Sequence, residues 1–291
     1  MSPRSFALLL AMTSGIGGRT VARVVARNAL LARSPEEFLA LSPQVWQEDY
    51  RMSAKAATAL TLRISDAPKE IEALERRLNE RAVSWVTAAD AHYPQALEAF
   101  DPDPPGVLFL HGNHRLLDRK TFCVLSSRNA SPGQLEVIGS RAEEGVLAGD
   151  ILVTGHDRPE YQRSAIVPLR WGAPRVLCLD RGLFTVLGDD LKNEAFRAAR
   201  LWRYEFDPLT DLAMSPFRPD SDFAGVNNKV RDRLVAGLSR RLEVVHLSPG
   251  GNMERLMGLA LKIGRPVQIA ADIPDAQLWV ERGAGLMPDM T

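Results

Sequence analysis

Apolar positions first follow a helical rhythm and then change to an alternation of strand-like and helical runs. From Phe6 to Leu62 they recur at helical spacing, in segments separated by glycine or serine–proline punctuation. Helices are expected over about Phe6–Met12, Arg19–Leu31 and Ser53–Leu62, with others opening at Ser34-Pro35 and Ser42-Pro43. Ser34 reads as an N-cap, Pro35 as the first helical residue, and Glu36 and Glu37 as first-turn acids, which suit free N–H groups at a helix start. Ala67-Pro68 marks a boundary. An amphipathic helix is expected over Lys69–Arg81, with Ile71, Leu74 and Leu78 on one side. Strands are expected over Val83–Thr87 and Val107–Leu110, separated by a turn and helix start at Tyr93-Pro94 and a stiff loop, Asp101–Pro105.

From residue 121 continuous apolar runs alternate with helical segments. The expected strands are Phe122–Ser126, Asp150–Thr154, Arg175–Asp180, Leu201–Phe206, Glu243–Leu247 and Pro266–Ala270. The expected helices are Leu135–Leu147, Gln162–Trp171, Asp190–Arg200, Lys229–Leu238 and Met253–Ile263. Such a pattern predicts an α/β fold, a mainly parallel sheet with helices on both faces. Two regions follow: an all-helical one over residues 1–66 and an α/β one over 67–291, its central part about 104–272. Ligands of such sheets bind beyond the C-terminal ends of the strands. The polar residues there are Ser126, Ser127 and Arg128; Thr154 to Arg158; Asp180 and Arg181; and Ser248 to Asn252.

Composition narrows the function classes. The formal net charge is zero, so any polyanion must be held by local patches rather than a global field. Cys123 and Cys178 sit in apolar runs and read as buried thiols of a reducing compartment, the cytoplasm. The five histidines form no cluster with ligand spacing, so no metal and no cofactor is expected. Phe6–Met12 is too short to span a membrane and reads as a soluble helix. There is no GxGxxG, Walker-type loop or nucleophile elbow, and no nucleophile–base set assembles, which favours binding over catalysis.

Three features carry candidate chemistry. The stretch from Thr121 to Pro132 is an apolar strand opening into Ser126, Ser127, Arg128 and Ser131 before a helix. That is either an anion cradle, with backbone donors and a two-pronged guanidinium, or an ordinary strand-to-helix turn. Gly250 and Gly251 precede another helix and offer the same two readings. Two acid-poor basic stretches stand out: residues 1–35 hold Arg4, Arg19, Arg23, Arg27 and Arg33 with no acid, and residues 226–242 hold Lys229, Arg231, Arg233, Arg240 and Arg241 against Asp232. Arg19, Arg23 and Arg27 share one helix face behind the Gly15-Ile16-Gly17 turn, whose glycines allow close approach to a phosphate. Phe217 and Phe223, with Trp202 and Tyr204, lie near the second stretch, and rings beside cations suit single-stranded nucleic acid. Trp202 and Tyr204 are expected in the core.

In this order the motifs resemble the DprA/Smf family of DNA-processing proteins, over about residues 6–272. Gly15-Ile16-Gly17 matches the family's N-terminal Gly-Ile-Gly turn, and Tyr93-Pro94 precedes Pro104-Pro105-Gly106-Val107-Leu108-Phe109 where the family has Pro-Pro-x-Leu-Phe. Leu125-Ser126-Ser127-Arg128-Asn129-Ala130-Ser131 is similar to its Val-Gly-Ser-Arg-x-x-Ser. Arg231-Asp232-Arg233-Leu234-Val235-Ala236-Gly237-Leu238-Ser239 is similar to its Arg-Asn-Arg-Ile-Ile-Ala-Gly-Leu-Ser, and Pro249-Gly250-Gly251 to its last glycine-rich turn. The departures are Ser126 for a glycine, Asp232 for the central asparagine, and the 155–161 loop. There the family's Gly-x-Ala-Arg-Gly-Ile-Asp keeps only Gly155 and Arg158, and its aspartate position holds Tyr161. Only a short tail follows residue 272, too short for the winged helix that some members carry.

The resemblance implies a Rossmann-like core preceded by a helix-hairpin-helix (SAM-like) domain. It implies a non-enzymatic protein that binds DNA, single-stranded by preference, and hands it to RecA in natural transformation. It also implies a homodimer. Phosphate contacts would fall on Ser127, Arg128, Ser131, Lys229, Arg231, Arg233, Gly155, Arg158, Gly250 and Gly251, with Gly15, Gly17, Arg19 and Arg23 in the helix-hairpin-helix. Two other functions go with the same resemblance: an antitoxin-like defence component that neutralises a cognate toxin, and a nucleotide-binding or nucleotide-cleaving protein.

Overall fold

Small capping residues set the helix starts of the N-terminal region in the computed structural model, which describes residues 1–196 and 204–288. Ser2, Ser34, Ser42 and Ser53 each accept a backbone N–H at the start of α1 (Pro3–Ala11), α3 (Pro35–Leu39), α4 (Pro43–Glu48) and α5 (Ala54–Thr61). Ser34 and Glu37 complete a reciprocal capping box. α2 (Gly18–Leu30) turns Val21, Val24 and Asn28 inward. α6 (Ala67–Glu80) buries Ala67, Ile71 and Leu78.

The chain forms two compact units. The first comprises Met1–Tyr93, Pro102–Leu110 and Pro216–Arg218. It therefore runs beyond residue 66 and takes in α6, β1 (Ser84–Thr87) and most of β2 (Val107–Gly112), which pairs antiparallel with β1. Its core is aromatic: the Phe38 ring stands edge-on to Phe6 at 5.2 Å and to Tyr50 at 4.9 Å, and stacks on Trp46 at 5.7 Å. Such pairs add about 0.5–1.5 kcal/mol each beyond the area they bury. The Tyr50 hydroxyl donates to Asn28 Oδ1 at 2.7 Å, so the phenol is not buried unpaired.

The second unit comprises Pro94–Asp101, His111–Ser215 and the chain from Pro219 onward, and is α/β. Its strands are β3 (Thr121–Ser126), β4 (Ile151–Thr154), β5 (Arg175–Cys178), β6 (Leu212–Ser215), β7 (Arg241–His246), β8 (Val267–Ile269) and β9 (Gly285–Leu286). They run in the order β6-β5-β4-β3-β7-β8-β9, every pair parallel. The connecting helices are α8 (Pro132–Leu147), α9 (Pro159–Trp171), α10 (Leu183–Leu187), α11 (Asn227–Leu238), α12 (Asn252–Lys262) and α13 (Ala276–Glu281), with α7 (Gln95–Phe100) packed on α11. The chain proceeds to one side from β3 to β6, then returns to the other side of β3 with β7. The Rossmann-like α/β expectation therefore holds, and the topological switch point lies between β3 and β7.

One expected pair of elements differs. A helix over Asp190–Arg200 and a strand over Leu201–Phe206 do not form where the chain is described; 197–203, with Trp202, lie outside the described residues. Leu191 adopts a left-handed φ of 59°, which breaks a helix, and Asn193 bridges to Glu205. Glu194 is drawn instead onto the fully buried Arg175, 2.6 Å from its Nη2, while Asp211 takes Nε at 2.9 Å. The ladder position beside β5 goes to β6. Tyr204, expected in the core, is 48% exposed. Beyond residue 272, α13 and β9 add a helix and a further strand. Both cysteines are buried free thiols, and burial pushes the Cys123 thiol up to about 12.

No described helix is long and apolar enough to cross a membrane.

Candidate functional site

The switch point holds a groove. The register of β3 against β7 shifts at Ser126, the last residue of β3, which pairs with His246. Ser127 ties the strand ends: its N–H donates to His246 O at 2.8 Å, and its hydroxyl accepts from Ser248 N at 2.8 Å. A cavity of about 310 Å³ opens above this tie, with Ser127 and Arg128 on one wall and Ser248, Gly251, Asn252 and Met253 on the other. Asn228, Lys229 and Asp232 of α11 and Arg158 complete the lining. Six of the expected residues thus concern one site: Ser127, Arg128, Lys229, Arg158 and Gly251 line it, and Gly250 adjoins it.

Two cations in the groove are unengaged. Arg128 and Lys229 are exposed, and neither side chain makes a hydrogen bond or ion pair among the described residues. The other basic residues assigned to the track are tied down. Arg231 is fully buried; its Nε lies 2.8 Å from Asp232 Oδ1, its Nη1 pairs with Asp157, and its guanidinium lies 4.5 Å from the Tyr161 ring centre. It cannot reach a phosphate from there. Arg233 pairs with Asp101 at 3.1 Å. Gly155 is required by internal packing, since a Cβ there would lie 2.7 Å from Arg231 Nη1 and 2.9 Å from the Tyr161 ring.

Asp232 is the hub beneath the groove floor. It accepts from Arg158 Nη2 at 3.0 and 3.2 Å, Arg231 Nε at 2.8 Å, the Tyr161 hydroxyl at 2.8 Å and Asn252 Nδ2 at 3.0 Å. Burial and the Asp232 carboxylate push the Tyr161 phenol well above its ordinary value, so it stays a donor. The acid at position 232 therefore does not oppose a ligand's charge at the surface. It neutralises two arginines from within.

The helix N-termini are less open than the sequence suggests. Ser131 and Gln134 form a capping box on α8: Ser131 Oγ accepts Gln134 N at 3.2 Å, and Gln134 Oε1 accepts Ser131 N at 3.0 Å. Ala130 N donates to Glu160 Oε1 at 3.3 Å. At α12 the Gly250 N–H donates to Glu254, and Gly251 N to Ser248 O at 2.9 Å. Ser131, Gly250 and Gly251 thus shape the two turns, and much of their donor capacity is already used.

The helix-hairpin-helix residues follow a similar pattern within the first unit. Gly15 takes a left-handed φ of 83°, so the turn needs a glycine there. A Cβ on Gly17 would collide with the Asp103 carboxylate, and Gly18 N donates to Pro104 O at 3.0 Å. Of the five arginines, Arg23 holds Tyr50 O at 2.9 Å and Thr20 Oγ1 at 3.0 Å, and Arg27 reaches Asp49. Arg33 donates to the Tyr50 hydroxyl, and Arg4 covers Trp85 at 4.1 Å. Arg19 is exposed and has no such partner among the described residues.

What sequence reasoning missed at the groove is Asn228, Asp232 as an internal counter-ion, and Met253. Their signal was adjacency: each neighbours a residue already singled out. Among the described residues, no group of three His, Cys, Asp or Glu side chains could hold a metal.

Comparison with known proteins gives three findings. Residues 84–158 match the family model described as DNA recombination-mediator protein A. No curated protein matches the sequence. Among solved structures, the fold is similar to DNA processing protein A (DprA) from Streptococcus pneumoniae, with a TM-score of 0.70 at 16% identity, over 99% of this chain and 95% of that one. It is also similar to DNA processing protein A from Helicobacter pylori, with a TM-score of 0.54 at 17% identity, over 71% of this chain and 91% of that one; that structure is described as showing a single-stranded DNA binding mode.

Proposed function

We propose that this chain, whose residues 84–158 match the recombination-mediator family model and whose fold is similar to DprA, is a DprA/Smf-type protein that binds single-stranded DNA in the switch-point groove between β3 and β7. The observation that carries this reading is the pair of unengaged cations, Arg128 and Lys229, on the rim of a groove whose other charges are internally neutralised. A phosphate at Arg128 would receive a forked pair of N–H donors, and one at Lys229 a point charge. Asn228, Asn252 and Ser248 offer neutral hydrogen bonds to sugar or base edges between them.

Arg128→Ala should weaken binding of a single-stranded oligonucleotide by about tenfold or more, since a hydrogen bond to a charged partner is worth about 1.5–3 kcal/mol. It should also flatten the salt dependence, because each phosphate contact on a single strand contributes a slope of about −0.7 in log K against log salt. Fluorescence anisotropy across a salt series reads both. Unchanged affinity and slope in the Arg128→Ala/Lys229→Ala double variant would overturn the assignment.

A further inference from the structure

A larger cavity, of about 820 Å³, lies on the other side of the loop that follows β4. It shares no lining residue with the groove: Asp157 faces it, while its neighbour Arg158 faces the groove. It sits at the C-terminal ends of β4 and β5, where α/β sheets place ligands, and its volume is that of a small-molecule site, about 300–1,000 Å³.

The lining has two characters. Arg163, Ile166 and Arg170 of α9 fall three and four residues apart and so share one face, with Gln162 at its margin. With Arg181 after β5 they place three guanidinium groups around the cavity. Arg163 is anchored, its Nε 3.2 Å from Leu135 O, and it crosses Gly139, where a Cβ would come within 2.9 Å. Arg170 is exposed and has no partner among the described residues. Ile166, Val186 and Phe196 provide the apolar part.

Between these parts stands a buried pair, His156 and Asp180. His156 Nε2 lies 3.3 Å from Asp180 Oδ1, with side-chain exposures of 8% and 1%. Burial alone would raise the Asp180 carboxyl; the neighbouring His156 and Arg181 side chains outweigh it and hold the carboxyl well below its ordinary value. His156 Nε2 is a buried polar atom that makes no hydrogen bond among the described residues. A buried imidazole with an unsatisfied nitrogen on a cavity wall is suited to a polar group of a ligand.

We infer that this cavity is a second binding site, for nucleoside 5′-monophosphates. The phosphate lies with Arg163, Arg170 and Arg181; the base lies against the apolar wall; His156 hydrogen-bonds a polar group of the base or the ribose. The volume and the apolar wall argue against a bare phosphate, and the three arginines against an uncharged nucleoside.

Isothermal titration calorimetry of the full chain tests this with AMP, GMP, CMP and UMP, and with adenosine and inorganic phosphate as separate arms. At least one monophosphate should bind, and both adenosine and phosphate should bind at least tenfold more weakly. Arg163→Ala/Arg170→Ala, both at exposed positions, should weaken the monophosphate at least tenfold and leave oligonucleotide binding unchanged. Arg128→Ala should leave the monophosphate unchanged. The inference is overturned if no monophosphate binds, if phosphate alone binds as tightly, if the double variant binds normally, or if Arg128→Ala abolishes binding. None of these results bears on the DNA groove, which is read by the oligonucleotide titration.

Discussion

Exchanging the residues at 161 and 232 offers a direct test of how the groove floor is held. The family pattern has an acid at the position of Tyr161 and an asparagine at the position of Asp232. Here the carboxylate sits on α11 instead, 2.8 Å from the Tyr161 hydroxyl, between Arg158 and Arg231. Asp232→Asn alone leaves the fully buried Arg231 with Asp157 as its remaining ion pair. Breaking a buried pair in this way costs about 3–5 kcal/mol. Tyr161→Asp alone adds a second buried acid beside Asp232 and removes a ring under the guanidinium, at a cost of about 3 kcal/mol or more. Independent effects would sum to at least about 6 kcal/mol. The double variant Tyr161→Asp/Asp232→Asn restores one carboxylate among two arginines, so its loss should be smaller than the sum by about 1.5 kcal/mol or more. Urea unfolding of the four proteins gives the coupling. Additivity within about 0.5 kcal/mol would refute the view that one charge has moved between two positions of one network.

The remaining predictions use other parts of the second unit. Gly145→Ala on α8 would drive a methyl into the ring of the fully buried Phe122, and overpacking of this kind should lower stability by about 1–3 kcal/mol in a denaturant titration. Cys123 and Cys178 are fully buried with raised thiols, so Ellman's reagent should label neither until the chain unfolds; fast labelling at neutral pH would contradict the packing. Asp180 titrates lower folded than unfolded, so its contribution is whole above the unfolded value near 3.8 and is lost as pH falls through the folded one. Calorimetry of Asp180→Asn should show a smaller drop in Tm than the parent between about pH 5 and pH 3.

Much of the fold was legible because it rests on local rules. Ser34-Pro35 and Ser42-Pro43 start helices by capping chemistry that needs no distant partner, and continuous apolar runs such as Phe122–Leu125 become central strands. The region from Asp190 to Ser215 was not legible in this way. Where it is described, its course follows from Arg175, whose partners Glu194 and Asp211 lie 19 and 36 residues along the chain. β6 itself is a four-residue run, Leu-Ala-Met-Ser, without a β-branched residue to mark it. The site showed the same division. Arg128 and Arg231 look alike as arginines in polar stretches, yet one is exposed and the other has no surface. What separates them is Asp157, 74 residues from Arg231, and no spacing rule connects the two.

The capping of α8 by Ser131 and Gln134, and of α12 by Glu254, has a consequence for how this protein can change over generations. Where a helix end itself grips a ligand, affinity is built into the backbone and cannot be altered without disturbing the fold. Here the groove's free charge resides in two solvent-facing side chains, Arg128 and Lys229, that no described residue relies on. Substitutions at these two positions can raise, lower or retarget affinity while the buried Asp232 network keeps the scaffold intact. Selection can therefore act on recognition and on foldedness through separate sets of residues.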